Sequence, residues 1–322
     1  MKKYNKFLLI LASSAGLVVG APLLSVSCKT VDKEKINLSK FDVIKKNYEI
    51  PVYEFSKVGT IFNKSINYRM YVTDEKGNKT IKEVSQSLWD YYNYIEGEVT
   101  RIFDGDTIEI KVTKQPNPKP GGKVLNVPTT MKLRIPMIDT LEENTPEVGK
   151  EEKELAKKDH AYAEKLIPIG SKVRVISSNW SEKTYDRFVG YVFFGKNFER
   201  QFDIEMLAGG YTLARLDTTK VISEFIADLS KESTEAKEIR SYLLPYAAYA
   251  INYGILNRKG FYGEVANMRS PYELSSKYLE HGQGMVDFSL SILHYNYWKK
   301  PKLATKKNNI YRYLEQINQN KK

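Results

Sequence analysis

The sequence predicts an α+β protein in which five short strands form a small β-barrel and about three helices pack around it. Runs rich in β-branched and aromatic residues, which are typical of strands, occupy residues 97–103, 107–112, 131–138, 172–177 and 188–194. Between the third and fourth runs, Leu155, Tyr162, Ala163 and Leu166 recur at helical spacing. Five strands are enough to close a small barrel, and this amphipathic helix should pack on it.

The connections between the predicted strands follow from local turn chemistry. The first two strands are joined by residues 104–107, Asp-Gly-Asp-Thr, and Asp-Gly favours a tight turn. Residues 114–128 are rich in Pro and Gly, which are poorly accommodated in a sheet, so we expect a long hairpin connection there. The third strand is unusual because it contains Pro136.

Three helices are predicted. The first should end at Ile167, because Pro168 follows it. The second covers residues 202–208 and is ended by Gly209 and Gly210, and the third runs from about residue 246 to 256 and ends near Gly260.

The amino terminus has the pattern of a secretion signal over residues 1–27: a basic start, an apolar run at residues 7–19, and small residues before Cys28. Cys28 is the single cysteine of the chain, so an internal disulfide is excluded. Its position resembles the lipid-attachment site of bacterial lipoproteins, although Ser25 stands where that pattern usually has leucine. An uncleaved membrane anchor and a free thiol are the alternatives.

Three further segments flank the predicted barrel. Residues 28–46 are rich in Lys, Asp and Asn, as expected of a solvated, lipidated tether, and residues 47–96 form an extension that no motif assigns. From Tyr295 onward, within a C-terminal extension at 265–322, eight basic residues alternate with aromatic ones against Glu315 alone. This mixture is typical of a nucleic-acid surface or of a basic tail near a membrane. The net charge of +11 also favours a polyanionic partner.

The residues with chemical potential lie at strand ends. On the third strand Arg134 points away from the apolar face, and Asp139 and Glu142 follow where that strand ends. Asp106 lies in the first hairpin and Arg187 precedes the fifth strand. Carboxylates and a backbone carbonyl suit a hard cation, a glutamate can accept a proton from water, and two arginines can bind a phosphate.

The order D-G-D-T, L-R-I, I-D-T-x-E and Y-D-R resembles the staphylococcal nuclease family over residues 97–262. The resemblance includes the ending Arg-Lys-Gly-Phe-Tyr at residues 258–262. It implies an OB-type five-stranded barrel over residues 97–264, dependence on Ca²⁺, and cleavage of DNA and RNA to products with 3′-phosphates.

Matched position by position, the resemblance implies a role for each site residue. The implied metal-binding residues are Asp106, Asp139 and the backbone carbonyl of Thr140; the phosphate-binding arginines are Arg134 and Arg187; the nucleotide-binding tyrosine is Tyr185; and the base is Glu142. The family's Asp-Thr-Pro-Glu is altered here, because Leu141 replaces the proline. Thr145-Pro146-Glu147 repeats the missing piece, which makes Glu147 an alternative base.

Other hydrolase classes are poor fits to the sequence. The three histidines have no partner at metal-ligand spacing, and neither a phosphate-binding glycine loop nor a serine-hydrolase elbow is present. We therefore expect a Ca²⁺-dependent nuclease on the extracellular face of the bacterial membrane, anchored by a lipid on Cys28. The alternative is an inactive surface lipoprotein that binds nucleic acid.

Overall fold

A computed structural model describes residues 50–73, 76–118, 125–232, 234–278 and 284–319. The predicted signal, Cys28 and the tether lie outside the described residues. The strands are β1 Ser65–Thr73, β2 Lys79–Ser87, β3 Ile95–Asp104, β4 Thr107–Lys114, β5 Thr130–Arg134, β6 Ile138–Asp139, β7 Lys172–Ile176, β8 Lys183–Thr184, β9 Arg187–Val189, β10 Tyr191–Phe194, β11 Arg200–Gln201 and β12 Leu213–Ala214.

The α-helices are α1 Leu88–Tyr91, α2 Lys150–Leu166, α3 Phe202–Ala208, α4 Thr218–Leu229, α5 Ile239–Leu256, α6 Pro271–Ser275, α7 Met285–Phe288 and α8 Ile310–Gln319. Short 3₁₀ segments include Val52–Asn63 and Gly260–Tyr262. No helix in the described parts of the chain is both long enough and apolar enough to cross a bilayer.

A curled, mixed sheet of eight strands forms the centre of the fold, in the order β11-β10-β7-β3-β4-β5-β9-β8. β9 and β10 are consecutive in the chain and separated only by Gly190. β9 pairs in parallel with β5, whereas β10 pairs antiparallel with β7. A Cβ at Gly190 would lie 2.8 Å from Val175 Cγ1, so only glycine allows this close approach. One run of chain thus joins strands on opposite sides of β3 and β4, which confirms an α+β, barrel-like fold.

The predicted strands are confirmed where the chain runs without interruption, in β3, β4 and β7. The third predicted strand is wrong as a continuous element. It stops at Arg134 and resumes at Ile138, because Pro136 has no N–H to contribute to the sheet. Between these segments the N–H of Met137 donates to Asp203 Oδ1 at 2.9 Å instead of to a strand.

Two of the three predicted helices are confirmed with their ends, α2 before Pro168 and α3 before Gly209. The third, α5, starts at Ile239 rather than near residue 246, with Pro245 inside it. This start was missed because proline normally argues against a helix interior. α4 was not predicted.

Both flanking extensions contribute to the same hydrophobic core as the strands. Before the sheet, Phe62 packs edge-on against Phe193 of β10 at 5.1 Å between ring centroids. Near the C-terminus, Tyr297, Trp298 and Tyr311 are buried, while the lysines between them are exposed. These aromatic rings therefore stabilise the core and are not presented for stacking on bases.

Candidate active site

The centre of the candidate site is an arginine between two carboxylates. Arg134, the last residue of β5, donates from Nη1 to Asp106 Oδ1 and from Nη2 to Asp139 Oδ1. Asp106 is the last residue of the turn before β4, and Asp139 ends β6. Each aspartate is only 2% exposed. These are buried ion pairs, and burying either charge without its partner would be costly.

The backbone of the first hairpin is tied to β6 at this point. Asp104 Oδ1 accepts a hydrogen bond from the Asp106 N–H at 3.0 Å, and Asp106 Oδ2 accepts one from the Thr140 N–H at 2.9 Å. A Cβ on Gly105 would lie 2.5 Å from Thr140 Cγ2, so the turn needs glycine to approach this closely. The D-G-D-T sequence thus fixes the Asp106 carboxylate beside Thr140.

Asp139 is further held by residues that the sequence analysis did not identify. Arg215, just after β12, donates to Asp139 Oδ2 at 3.1 Å. The Asp139 carbonyl accepts hydrogen bonds from Thr212 Oγ1 at 2.7 Å and from the Tyr278 hydroxyl at 3.0 Å. No local motif marks these residues. Thr212 and Arg215 flank β12 and reach Asp139 through the pairing of β12 with β6, and the Tyr278 hydroxyl also accepts a hydrogen bond from the Leu213 N–H.

A cavity of about 770 Å³ opens beside this cluster. It has the size of a ligand-binding cleft. The site residues that line it are Arg134, Asp139, Glu142, Tyr185, Arg187 and Arg215. Asp106 is not among the lining residues, but it is bonded to Arg134 directly.

The two candidate glutamates differ in position. Glu142 is half-buried and lines the cavity, and its Oε2 accepts a hydrogen bond from Thr145 Oγ1 at 3.0 Å. Its backbone N–H donates to Glu152 Oε1 at 3.2 Å, which ties the loop to α2. Glu147 is exposed and does not line the cavity. The geometry therefore brings Glu142, but not Glu147, beside the arginines.

Arg187 and Tyr185 also line the cavity. Arg187 Nη1 donates to Thr107 Oγ1 at 3.1 Å, and its guanidinium carbon lies 5.7 Å from the centre of the Tyr185 ring. Tyr185 is 89% exposed and has a left-handed backbone, with φ of 56°. The guanidinium makes no ion pair with a described carboxylate, so it is available to an anion in the cavity.

Two buried acids beneath the site were also missed. Asp203, in the first turn of α3, is buried, and burial raises its pKa to about 6. Asp159 of α2 is fully buried, and burial raises its pKa well above the ordinary value. Its Oδ2 accepts a hydrogen bond from the Leu141 N–H at 3.2 Å. Both acids support the loop that carries Asp139 and Glu142.

The oxygen donors at the site fit Ca²⁺ in chemical kind. Asp106 and Asp139 supply hard carboxylate oxygens. Thr140 follows Asp139 directly, and its N–H donates to Asp106 Oδ2, so its carbonyl belongs to the same cluster. Within the described segments, however, no three His, Cys, Asp or Glu side chains are grouped as metal ligands. Arg134 bridges the two aspartates, so a cation shared by them requires its guanidinium to move away.

Comparisons with known proteins identify no activity. The chain matches no protein-family profile. It is similar to a Mycoplasma pneumoniae protein named "Uncharacterized lipoprotein MG186 homolog", with 42% identity over 88 residues. The match covers 25% of this chain and 29% of that protein, so the chain spans less than a third of its relative. The nuclease resemblance therefore stays a prediction.

Proposed function

We propose that this protein is a nuclease of the staphylococcal type that hydrolyses phosphodiester bonds of DNA and RNA with Ca²⁺. The observation that carries the proposal is the shared cavity. Arg134, Asp139 and Glu142, from one stretch around β5 and β6, line one cleft together with Arg187 from β9. Two guanidiniums and a carboxylate lining one cleft suit a phosphodiester with an attacking water.

Each side chain has a role in this proposal. Arg134 and Arg187 bind the phosphate and stabilise the extra negative charge of the in-line transition state. Glu142 accepts the proton of the attacking water, and Tyr185 contacts the nucleotide. Bound Ca²⁺, held by Asp106, Asp139 and the Thr140 carbonyl, would polarise a phosphoryl oxygen and orient water.

The strand pairing supports a five-stranded OB-type barrel as the framework. β7, β3, β4 and β5 are neighbours in that order, and the run 187–194 contacts both ends of the row through β9 and β10. If β9 and β10 are counted as one strand, this strand closes a five-stranded barrel with β7, β3, β4 and β5. The remaining strands of the sheet, β8 and β11, have two residues each.

We further propose a lipid on Cys28 that anchors the protein at the outer face of the bacterial membrane. The signal-like sequence before Cys28 supports this, and so does the similar Mycoplasma protein, which is named a lipoprotein. Extracellular calcium is abundant enough for weak oxygen-ligand sites.

A second candidate function is a surface lipoprotein that binds nucleic acid without cleaving it. One observation favours it: every carboxylate oxygen of Asp106 and Asp139 already accepts a hydrogen bond from this chain's own groups. A site that stays in this arrangement keeps two arginines beside the cavity, while the two aspartates compensate Arg134 and Arg215 rather than a cation.

The two functions separate in an assay on purified protein lacking the leader. With calcium, the nuclease should degrade single-stranded DNA, and chelator should stop the reaction. Arg187→Ala should lower the rate about a hundredfold or more without unfolding the protein. Arg69→Ala, an exposed arginine paired with Glu83 in the distant β1–β2 hairpin, is the matched control and should keep full activity. Equal DNA integrity with calcium and with chelator would leave only the binding function.

A further inference from the structure

A second cavity, of about 560 Å³, lies beside α2, which does not line the first cavity. Its walls come from α2, the end of α3, α5 and the 3₁₀ segment Val52–Asn63. It shares no lining residue with the first cavity. The nuclease site does not account for its composition.

Aromatic rings line two walls of this second cavity. On one wall Tyr162 and Tyr211 are stacked, with centroids 4.2 Å apart and planes 15° from parallel. On the other wall, the ring centroids of Phe55 and Tyr253 lie 5.6 Å apart. All four rings are half-buried, so each is fixed by the core and still has surface facing the cavity.

Two glycines allow close packing beside the stacked Tyr162 and Tyr211 rings. Gly209 contacts the Tyr162 ring, and Gly260 contacts the backbone of Gly209. A Cβ on Gly209 would lie 2.5 Å from the Tyr162 ring, and one on Gly260 would lie 2.4 Å from the Gly209 carbonyl oxygen. Gly260 also has φ of 49°, a conformation that favours glycine. The 258–262 segment is thereby held against the end of α3, and it carries Lys259 to the rim of the cavity.

The rim is cationic. Lys158, Lys165 and Lys259 are exposed, line the cavity and form no ion pair with a described carboxylate. Of the two acids in the lining, Glu205 accepts hydrogen bonds from Arg200 Nε at 3.0 Å and from Nη2 at 2.9 Å and is thus compensated. Three ammonium groups therefore face one remaining carboxylate, Glu264.

We propose that this cavity is a second, non-catalytic binding site for one nucleotide unit of a single-stranded nucleic acid. The base stacks on the tyrosine and phenylalanine rings, and the lysines bind the flanking phosphates. Fixed aromatic rings beside flexible cations are the usual means of binding single strands without sequence preference. The volume suits a ligand of nucleotide size. The proposal takes its ligand class from the proposed nuclease function but requires no turnover.

The first test is binding of a fluorescein-labelled oligothymidylate in chelator, followed by anisotropy. Lys158→Glu, Lys165→Glu and Lys259→Glu combined should weaken binding about tenfold or more. The slope of log affinity against log salt should fall by about 2, because each single-strand phosphate contact contributes about 0.7. The control combines Lys79→Glu, Lys82→Glu and Lys111→Glu, exposed positions with the same charge change, and should remain near wild type.

Turnover of bis(p-nitrophenyl) phosphate with calcium checks the first cavity separately. This substrate is too small to bridge both sites, so the Lys158, Lys165 and Lys259 variant should hydrolyse it at the wild-type rate. If wild type fails to hydrolyse it but the binding difference persists, the nuclease function fails and the second site stands. If both triple variants bind the oligonucleotide equally well, the second site is wrong.

A second measurement needs no substitution and therefore covers the case in which the triple variant does not fold. Oligonucleotides carrying 5-iodouracil crosslink under near-ultraviolet light to aromatic rings stacked on the base. In wild-type protein, mass spectrometry should find crosslinks at Tyr162, Tyr211 or Tyr253. Crosslinks confined to Tyr185, the exposed ring of the first cavity, would overturn the proposal.

Discussion

Arg134 holds together two buried carboxylates that would otherwise repel each other. Its guanidinium donates to both Asp106 and Asp139, and its own side chain is 14% exposed. Arg187 also lines the cavity, but among the described residues its guanidinium donates to the neutral Thr107 hydroxyl rather than to a carboxylate. The two arginines have similar chemistry toward a phosphate and different roles in stability.

We predict that Arg134→Ala destabilises the fold much more than Arg187→Ala. Removing one partner from a buried ion pair costs about 3–5 kcal/mol, because the other charge stays buried without compensation. Loss of one hydrogen bond to Thr107 should cost about 1 kcal/mol. Urea denaturation of both variants measures the difference. Equal losses would mean that Arg134 does not compensate the aspartates in solution.

The base is tested by paired substitutions at Glu142 and Glu147. Glu142→Gln keeps size and hydrogen bonding but removes the proton acceptor, so kcat should fall about a hundredfold to ten-thousandfold. Glu147→Gln, at an exposed position away from the cavity, should stay close to wild type. The measurement is calcium-dependent DNA hydrolysis over a range of pH. The reverse order of effects would assign the base to the Thr145-Pro146-Glu147 repeat.

At the scale of elements, a buried acid stabilises the interruption between β5 and β6. The Asp203 carboxylate accepts the hydrogen bond of the Met137 N–H, two residues before Asp139. Burial raises the pKa of Asp203 from 3.8 to about 6, so between these values the folded state holds a proton that the unfolded chain has lost. The contribution of this group to stability is therefore largest below about pH 4 and declines as pH rises to about 6.

We predict that Asp203→Asn, which cannot ionise, removes this pH dependence. Relative to wild type, the variant should gain stability as pH rises from 4 to 7, by a total on the order of 3 kcal/mol. Guanidinium denaturation of both proteins at each pH gives the difference and cancels the other titrating groups. A difference that is constant with pH would show that Asp203 ionises normally.

Three strands and two helices could be predicted from short-range sequence patterns alone. β3, β4 and β7 follow from β-prone runs and turn residues. α2 follows from helical spacing and Pro168, and α3 from the glycines that end it. The interruptions at Pro136 and Gly190 were not predicted as breaks. They depend on which neighbour each half-strand pairs with, and that is decided by tertiary contacts.

The same distinction applies to the site. Asp106, Arg134 and Asp139 lie in short motifs at strand ends, and the structure brings them together through the Arg134 guanidinium. Arg215 and Tyr278 reach Asp139 across 76 and 139 residues of chain and have no motif. Contacts of this separation depend on the packing of the C-terminal part of the chain, which hydrophobic periodicity does not determine.

At the scale of the whole molecule, the C-terminal extension is part of the fold. Tyr311 of α8 is fully buried; its hydroxyl donates to the Ala248 carbonyl at 2.8 Å and accepts a hydrogen bond from Asn252 Nδ2 at 2.7 Å. Burial raises the Tyr311 pKa well above its ordinary value. Because α8 is bonded to α5 in this way and Tyr278 supports Asp139, deleting residues 265–322 should impair folding and the site together.

We predict that Tyr311→Ala lowers stability by about 3–5 kcal/mol, because it leaves a cavity and unpaired polar groups on α5. Tyr311→Phe, which removes only the hydroxyl, should cost about 1–2 kcal/mol. Tyr313→Ala is the matched control, since that ring is half-buried, and its cost should be smaller than that of Tyr311→Ala. Thermal and urea denaturation of the three variants measure these differences. If Tyr311→Ala unfolds at the wild-type urea concentration, α8 is a solvated tail, and deletion of residues 265–322 becomes a clean test of what the tail binds.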